Sequence, residues 1–354
     1  MSEAQRIATI RSVAEQAGVS VATVSRVINN PTIVAEDTRE RVLKAIQDQK
    51  FRISREAQLT RRRHRALRTG RVGFLVPDVP NPATETITEE MGKGIQRALM
   101  PRAMELVMYY YPLLSDSPHA VPKMLIEDSV DGVLLRPPHA KERLLEFCRQ
   151  GKVMLLANGF PDLDLPSVLT DDWAGLRLLM DYLTSLGHRR VAFVACTTHS
   201  ILNLRRLQAY RAYYEEKGWI VDEQLVKIYD NWFVPADQVE PWSRRVLEEL
   251  FALQPRVTAI VTSMDGLAAG LLQAAKHMKV RVPEDLSVTG YGDQYYTPFT
   301  DPPLTTLHVD YQAMGEIGTT QLLNMIEGAN YSTQTLIRPT FVERRSCAEK
   351  PAGS

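Results

Sequence analysis

The chain has 354 residues, sets 42 Lys and Arg against 42 Asp and Glu, and is 44% hydrophobic with three cysteines. No apolar run is long enough for a membrane-spanning helix, and Cys148, Cys196 and Cys347 have neither metal-site nor redox spacing and are odd in number, so neither a helical membrane protein nor a disulfide framework is expected. The zero net charge argues against a nucleic-acid partner only until its distribution is examined. Residues 1–71 carry 15 basic against 7 acidic residues, a surplus of eight that the remaining chain cancels, so a cationic module precedes an acidic body.

The first periodic stretch, "IRSVAEQAG", places Ile10, Val13, Ala14 and Ala17 on one helical face and ends on Gly18, which suits a tight turn. "VSVATVSRVINN" follows, with Ser20 as N-cap and Pro31 as a stop. At 100° per residue Val21, Val24 and Ile28 fall inward, and Ala22, Thr23, Arg26, Asn29 and Asn30 fall outward. A third stretch, residues 36–51, offers Val42, Leu43, Ile46 and Phe51 to close a small core. Three short helices of which the first two read as helix, turn, helix make one miniature domain. The outward face of the second carries small hydrogen-bonding groups around one Arg, which suits base edges and phosphates.

Residues 53–71 form a basic linker, with five basic residues between 61 and 68. The body then alternates β-branched and aliphatic runs ("VGFLV", "GVLLR", "VMLLA", "RVAFVA", "TAIVTS", "LSVTGY") with amphipathic stretches such as "AGLRLLMDYLTSLG" and "DGLAAGLLQAAKHM". Strand–helix alternation predicts parallel sheets, and this length suits two α/β lobes. Arg136, Asp265 and Asp293 come just after strands, where open parallel sheets bind ligands.

The stretch "TIRSVAEQAGVSVATVSRVINNPTIVAEDTRERVLKAI" resembles the DNA-binding headpiece of the lactose/galactose repressor (LacI/GalR) family. The resemblance continues in order through "RTGRVGFLVPDVPNP", "VDGVLL", "SVLTDDWAG", "LGHRRVAFV", "VPEDLSVTGYGD" and "DPPLTTLHVDYQAMGEIG". It implies an all-α helix-turn-helix headpiece on a two-lobed, periplasmic-binding-protein-like α/β body. The second helix would read DNA, with Val21 and Ala22 at its entry to the major groove, Arg26 further along, and Thr9, Ser20, Thr23, Ser25 and Asn29 on phosphates or bases. The implied pocket residues are Arg206, Trp232, Asp265 and Asp171, with Arg136 and Asp293 beside them. A bidentate Arg and paired acceptors would hold ligand hydroxyls or a carboxylate, and Trp232 would cover the apolar face of a sugar ring. Ordinary alternatives are helix caps for the Asp residues, a surface ion pair for Arg206 and a core position for Trp232.

The resemblance implies a headpiece over residues 1–52, the linker over 53–71, the body over 72–345 and a tail over 346–354. Lobe 1 would hold about 72–166 and 297–328, and lobe 2 about 167–296 and 329–345, with crossings near 165–170, 293–300 and 325–335. Three departures stand out. Family members have paired acids where this chain has Gly292 and Asp293, and aromatics where it has Ile87 and Thr88, which leaves Arg136 to compensate. The linker has Ile53 in place of Pro; spacing from Phe51 puts Thr60 at the position of the minor-groove wedge, with Leu59 and Leu67 as rivals. Arg61, Arg62 and Arg63 favour phosphates.

The expected function is a ligand-responsive repressor that binds a palindromic operator on double-stranded DNA as a homodimer and senses a sugar or related small molecule, in the cytoplasm, without cofactor or metal. The alternative is a sugar-processing enzyme or solute-binding protein with an appended basic module, but no signal peptide, nucleophile motif or phosphate loop is visible. The tail "FVERRSCAEKPAGS" lacks apolar heptads, so no C-terminal coiled coil is expected. The Ala- and Leu-rich faces of "EMGKGIQRALM" and "DGLAAGLLQAAKHM" are candidates either for a dimer surface or for the core.

Overall fold

A computed structural model describes residues 10–29, 35–49, 69–78, 82–112, 123–126, 129–137, 141–159, 163–198, 200–230 and 236–350. The chain divides into two units, Met1–Ala66 and Leu67–Ser354.

In the first unit α1 (Ile10–Ala17), α2 (Val21–Asn29) and α3 (Glu36–Asp48) enclose a core of Val13, Ala14, Ala17, Val24, Val27, Val42 and Ala45. Gly18, at φ +62°, closes α1 while the Val19 N–H bonds back to the Ala14 carbonyl at 3.0 Å. A left-handed residue costs glycine nothing and satisfies a carbonyl that the helix end would orphan. Ser20 Oγ accepts the Thr23 N–H at 3.1 Å and caps α2 as expected. Ser12 Oγ donates to Gln49 Oε1 at 2.6 Å and ties the end of α3 to α1.

Two inward assignments fail. Val21 is 41% exposed and Leu43 51% exposed. The turn at Gly18 brings α2 onto α1 along the stripe of Val24 and Val27, three residues apart, which leaves the first-turn valine outside. In α3 the stripe is Val42, Ala45 and Ile46, and Leu43 lies beside it.

The second unit begins with β1 (Arg71–Asp78), α4 (Pro82–Leu99), β2 (Glu105–Pro112), β3 (Gly132–Leu135), α5 (Lys141–Gln150), β4 (Val153–Leu156) and β5 (Ser167–Thr170). These strands, with β11 (Gln334–Ile337), form a parallel sheet of order β11-β5-β4-β3-β1-β2. Then follow α6 (Asp172–Ser185), β6 (Val191–Cys196), α7 (Ile201–Glu216), β7 (Val226–Tyr229), α8 (Ala236–Ala252), β8 (Ala259–Thr262), α9 (Asp265–His277) and β9 (Ser287–Thr289). The second sheet is also parallel, of order β7-β6-β8-β9. β10 (Thr306–His308) pairs antiparallel with β12 (Thr340–Val342), and α10 (Tyr311–Glu327) returns to pack on α4. All six strands read from sequence are present, and parallel sheets follow from helical crossovers that bury both faces.

The chain passes between sheets at 170–172, 308–311 and 337–340, later than the expected crossings, because β5 and β11 both hydrogen-bond within the first sheet. Short apolar runs announce strands but do not say which sheet takes them. The two Ala- and Leu-rich helices are used internally: α4 buries Met91, Ile95 and Leu99, and α9 buries Leu267, Ala268, Leu271, Leu272, Ala274 and Ala275. The apolar side chains left outside include Met108, Tyr109 and Tyr110 on β2, the edge of the first sheet.

Candidate functional site

The carboxyl ends of the strands gather the polar residues of the body. Arg206, on α7, is only 4% exposed; its Nε donates to Asp172 Oδ1 at 2.8 Å and its Nη1 to the Ser263 carbonyl just after β8. The guanidinium lies 3.4 Å from the centre of the Tyr291 ring, and Tyr291 donates its hydroxyl to Asp172 at 3.3 Å. Burial raises the Asp172 carboxyl and the adjacent guanidinium opposes the rise. Arg206 is therefore a fixed cation stacked on an aromatic face, not a surface ion pair.

Asp265, at the start of α9, is 1% exposed. Its carboxylate accepts the Thr306 hydroxyl at 2.6 Å and the Gln294 N–H at 2.8 Å. Burial dominates over these bonds and pushes its pKa up to about 6. The folded protein thus holds this proton more tightly than the unfolded chain, so stability attributable to Asp265 falls as pH rises from about 4 to 6 and is level above. The expected result is that wild type loses unfolding free energy relative to D265N across that window. A pH-independent difference in urea unfolding would contradict it.

Arg136 follows β3, and its Nη1 donates to Thr88 Oγ1 of α4 at 2.7 Å. Tyr311, at the start of α10, lies within electrostatic reach of Arg206, Asp265, Arg136 and Asp172, and burial pushes its phenol up to about 12, so it stays a neutral donor and acceptor. Among the described residues Asn203 Oδ1, Ser263 Oγ and Gln294 Oε1 are buried without a hydrogen-bond partner. A cavity of about 480 Å³ opens between α4 and segments 292–295 and 308–316, lined by Ile87, Glu90, Asp293, Gln294, His308 and Tyr311 among others. Gln294 and Tyr311 connect it to the Asp265 and Arg206 cluster. Ser200 Oγ, at the start of α7, donates to Asn158 Oδ1, after β4, at 3.1 Å and so joins the second-sheet side to the first.

Arg206, Asp265 and Arg136 are thus at the strand ends. Asp171 caps α6, accepting the Ala174 N–H at 3.0 Å, the ordinary alternative for that residue. Asp293 lines the cavity at φ +57°, with Oδ1 already taken by Arg344 at 2.7 Å and Thr297 at 3.0 Å. Trp232 lies outside the described residues. Asp172, not singled out in the sequence, is the carboxylate that meets Arg206; the members of the doublet "DD" project about 100° apart on entering a helix, so one caps and the other turns inward. Tyr291, Gln294, Thr306 and Tyr311 were also missed: the pairing of β9 with β8 and the bridges from β9 to segment 305–308 bring the first three to Asp265, and the crossing at 308–311 places Tyr311.

In the first unit Ser20, Val21 and Ala22 are exposed and Thr23 half-buried, with Ser20 Oγ 2.9 Å from Thr23 Oγ1. Ser25, Arg26 and Asn29 belong to α2, but their side chains, together with Thr9, Leu59, Arg61, Arg62 and Arg63, lie outside the described residues. Among the described residues no group of His, Cys, Asp and Glu has a metal-holding arrangement, and no helix is long and apolar enough to cross a membrane.

A helix-turn-helix unit followed by a two-sheet α/β body with charged groups at its strand ends defines a ligand-responsive DNA-binding regulator. The profile of bacterial regulatory proteins of the lacI family matches residues 9–52, and that of the periplasmic binding protein-like domain matches residues 180–347. The HTH-type transcriptional repressor PurR of Erwinia tasmaniensis is 29% identical over 350 residues, covering 98% of each chain. A structure of the transcriptional regulator CelR–cellobiose complex aligns at a TM-score of 0.69 and 26% identity, covering 96% of this chain and 99% of the other. The lac repressor dimer bound to operator and the anti-inducer ONPF shares the fold at a TM-score of 0.67 and 22% identity, over 97% of this chain and all of that one. The chain thus combines a lacI-family helix-turn-helix segment with a periplasmic binding protein-like segment, the make-up of regulators of the lactose/galactose repressor (LacI/GalR) family.

Proposed function

We propose that this protein is a cytoplasmic transcriptional repressor, without catalytic activity, that binds a palindromic operator as a homodimer and changes its affinity for DNA when a sugar or related polyhydroxylated molecule enters the cleft between the lobes. The observation that carries the reading is the presence, on one chain, of a capped α2 with Val21 and Ala22 exposed and a strand-end cluster around Arg206 and Asp265. Curated relatives are named as repressors, and a structural relative was solved with cellobiose. Gln294 Oε1, a buried acceptor on a residue that lines the cavity, matches the hydroxyl donors of such a ligand.

Roles for Thr9, Ser20, Val21, Ala22, Thr23, Ser25, Arg26 and Asn29 on bases or phosphates, and for Leu59 and Arg61 to Arg63 in the minor groove or on phosphates, are part of this proposal. Replacing Arg26 by Ala is expected to weaken operator binding by about 1 to 3 kcal/mol while leaving random DNA nearly unaffected. Equal losses on both DNAs, read by anisotropy titration, would move Arg26 from a base to a phosphate. A thermal-shift screen of mono- and disaccharides, uronates and sugar phosphates tests the cleft, because a ligand that binds only the folded state raises its melting temperature.

A single helix-turn-helix reads few base pairs, so specificity requires two of them at a fixed spacing. We place the twofold contact on the edge strand β2, where Met108, Tyr109 and Tyr110 are exposed and the backbone pairs on one side only among the described residues. Light scattering should report a dimer for the wild type and a shift towards monomer for Y110E. An unchanged dimer in Y110E would place the contact elsewhere.

A further inference from the structure

We propose that Asp172 sets the charge selectivity of the cleft: by neutralising Arg206 it turns that residue into a directed hydrogen-bond donor, so that the site accepts uncharged hydroxyl-bearing ligands and rejects phosphates and carboxylates. The inference rests on the reading of the cleft as the effector site, and it adds a residue that fixes which effectors qualify.

Three observations converge on it. Arg206 and Asp172 are 4% and 3% exposed, and their 2.8 Å contact compensates the guanidinium charge where water cannot. Nη1 is bound to the Ser263 carbonyl and the ring of Tyr291 covers one face, so that Nη2 is the edge with no partner among the described residues. One N–H edge with its charge already balanced suits a hydroxyl or carbonyl oxygen; a phosphate or carboxylate calls for an uncompensated, bidentate fork.

The remaining polar groups agree. Gln294, which lines the cavity, has its Oε1 buried without a hydrogen-bond partner among the described residues, and the Asp265 carboxylate beside it accepts the Gln294 N–H. A phosphate or carboxylate presents mostly acceptor oxygens to such groups and adds a like charge beside Asp265 and Asp172. Arg136, the cation of the first lobe, is already engaged with Thr88.

Inorganic phosphate is the probe, titrated against the full chain at constant ionic strength with melting temperature as the readout. Wild type and D172E, which keep the negative charge, should be indifferent to phosphate. D172N should gain a saturable rise in melting temperature, and D172N/R206Q should lose it. Indifference of D172N to phosphate overturns the proposal, as does a saturable rise in wild type that R206Q abolishes. The second comparison needs no D172N protein and therefore decides even where that variant folds poorly. A failed sugar screen would count against the effector reading without altering these phosphate responses, so the two failures are separable.

Discussion

Replacing Gly94 or Gly315 by Ala is expected to lower the unfolding free energy of the body by about 3 kcal/mol, the upper part of the range for inserting atoms into a packed interior. A Cβ at Gly94 would overlap the Gln312 carbonyl oxygen, and one at Gly315 would overlap the Met91 carbonyl oxygen. Both obstacles are backbone, so neither can rotate away, and α4 and α10 would have to separate along the line where Met91, Ile95 and Met314 are buried. Urea unfolding of either variant measures the loss. A loss below about 1 kcal/mol, within the scatter of ordinary surface substitutions, would show that the helices can part cheaply. Because α10 begins at the second crossing between the sheets, the same variants should also weaken any ligand response.

Replacing Arg206 by Ala is expected to cost about 3 to 5 kcal/mol, because Asp172 would be left as a buried charge without its partner. R206A/D172A should recover part of that loss, since removing both charges also removes their desolvation cost. A double variant no more stable than R206A would mean that the pair is held by its neighbours and not by mutual compensation. Folded R206A is also expected to lose the response to whichever sugar the screen returns while keeping operator affinity in the absence of ligand, because the helix-turn-helix is a separate unit. Loss of operator binding by folded R206A would tie the cleft to the headpiece more tightly than that division implies.

Local signals in the chain suffice to place its elements and much of their chemistry. The 3.6-residue period located α1, α2 and α3, Gly18 and Ser20 marked the turn and cap, and runs such as "VGFLV" and "RVAFVA" announced buried parallel strands. These signals are local, written within a few residues of where they act. The sequence also pointed to Arg206 and Asp265 through family resemblance, and the fold buries both at the ends of strands. Tertiary structure alone decided the rest. Which stripe of α2 faces inward depends on how α1 crosses it, and that choice exposed Val21 and buried Val27. Whether an apolar helix face becomes core or contact surface depends on what packs against it, so α4 and α9 went to the interior and β2 was left as the exposed edge. In "TDDWAG" both carboxylates look alike; only the entry of the chain into α6 made Asp171 a cap and brought Asp172 to Arg206, 34 residues away in sequence. Side-chain partners so far apart in the chain leave no periodic trace, because their proximity is set by the packing of whole elements.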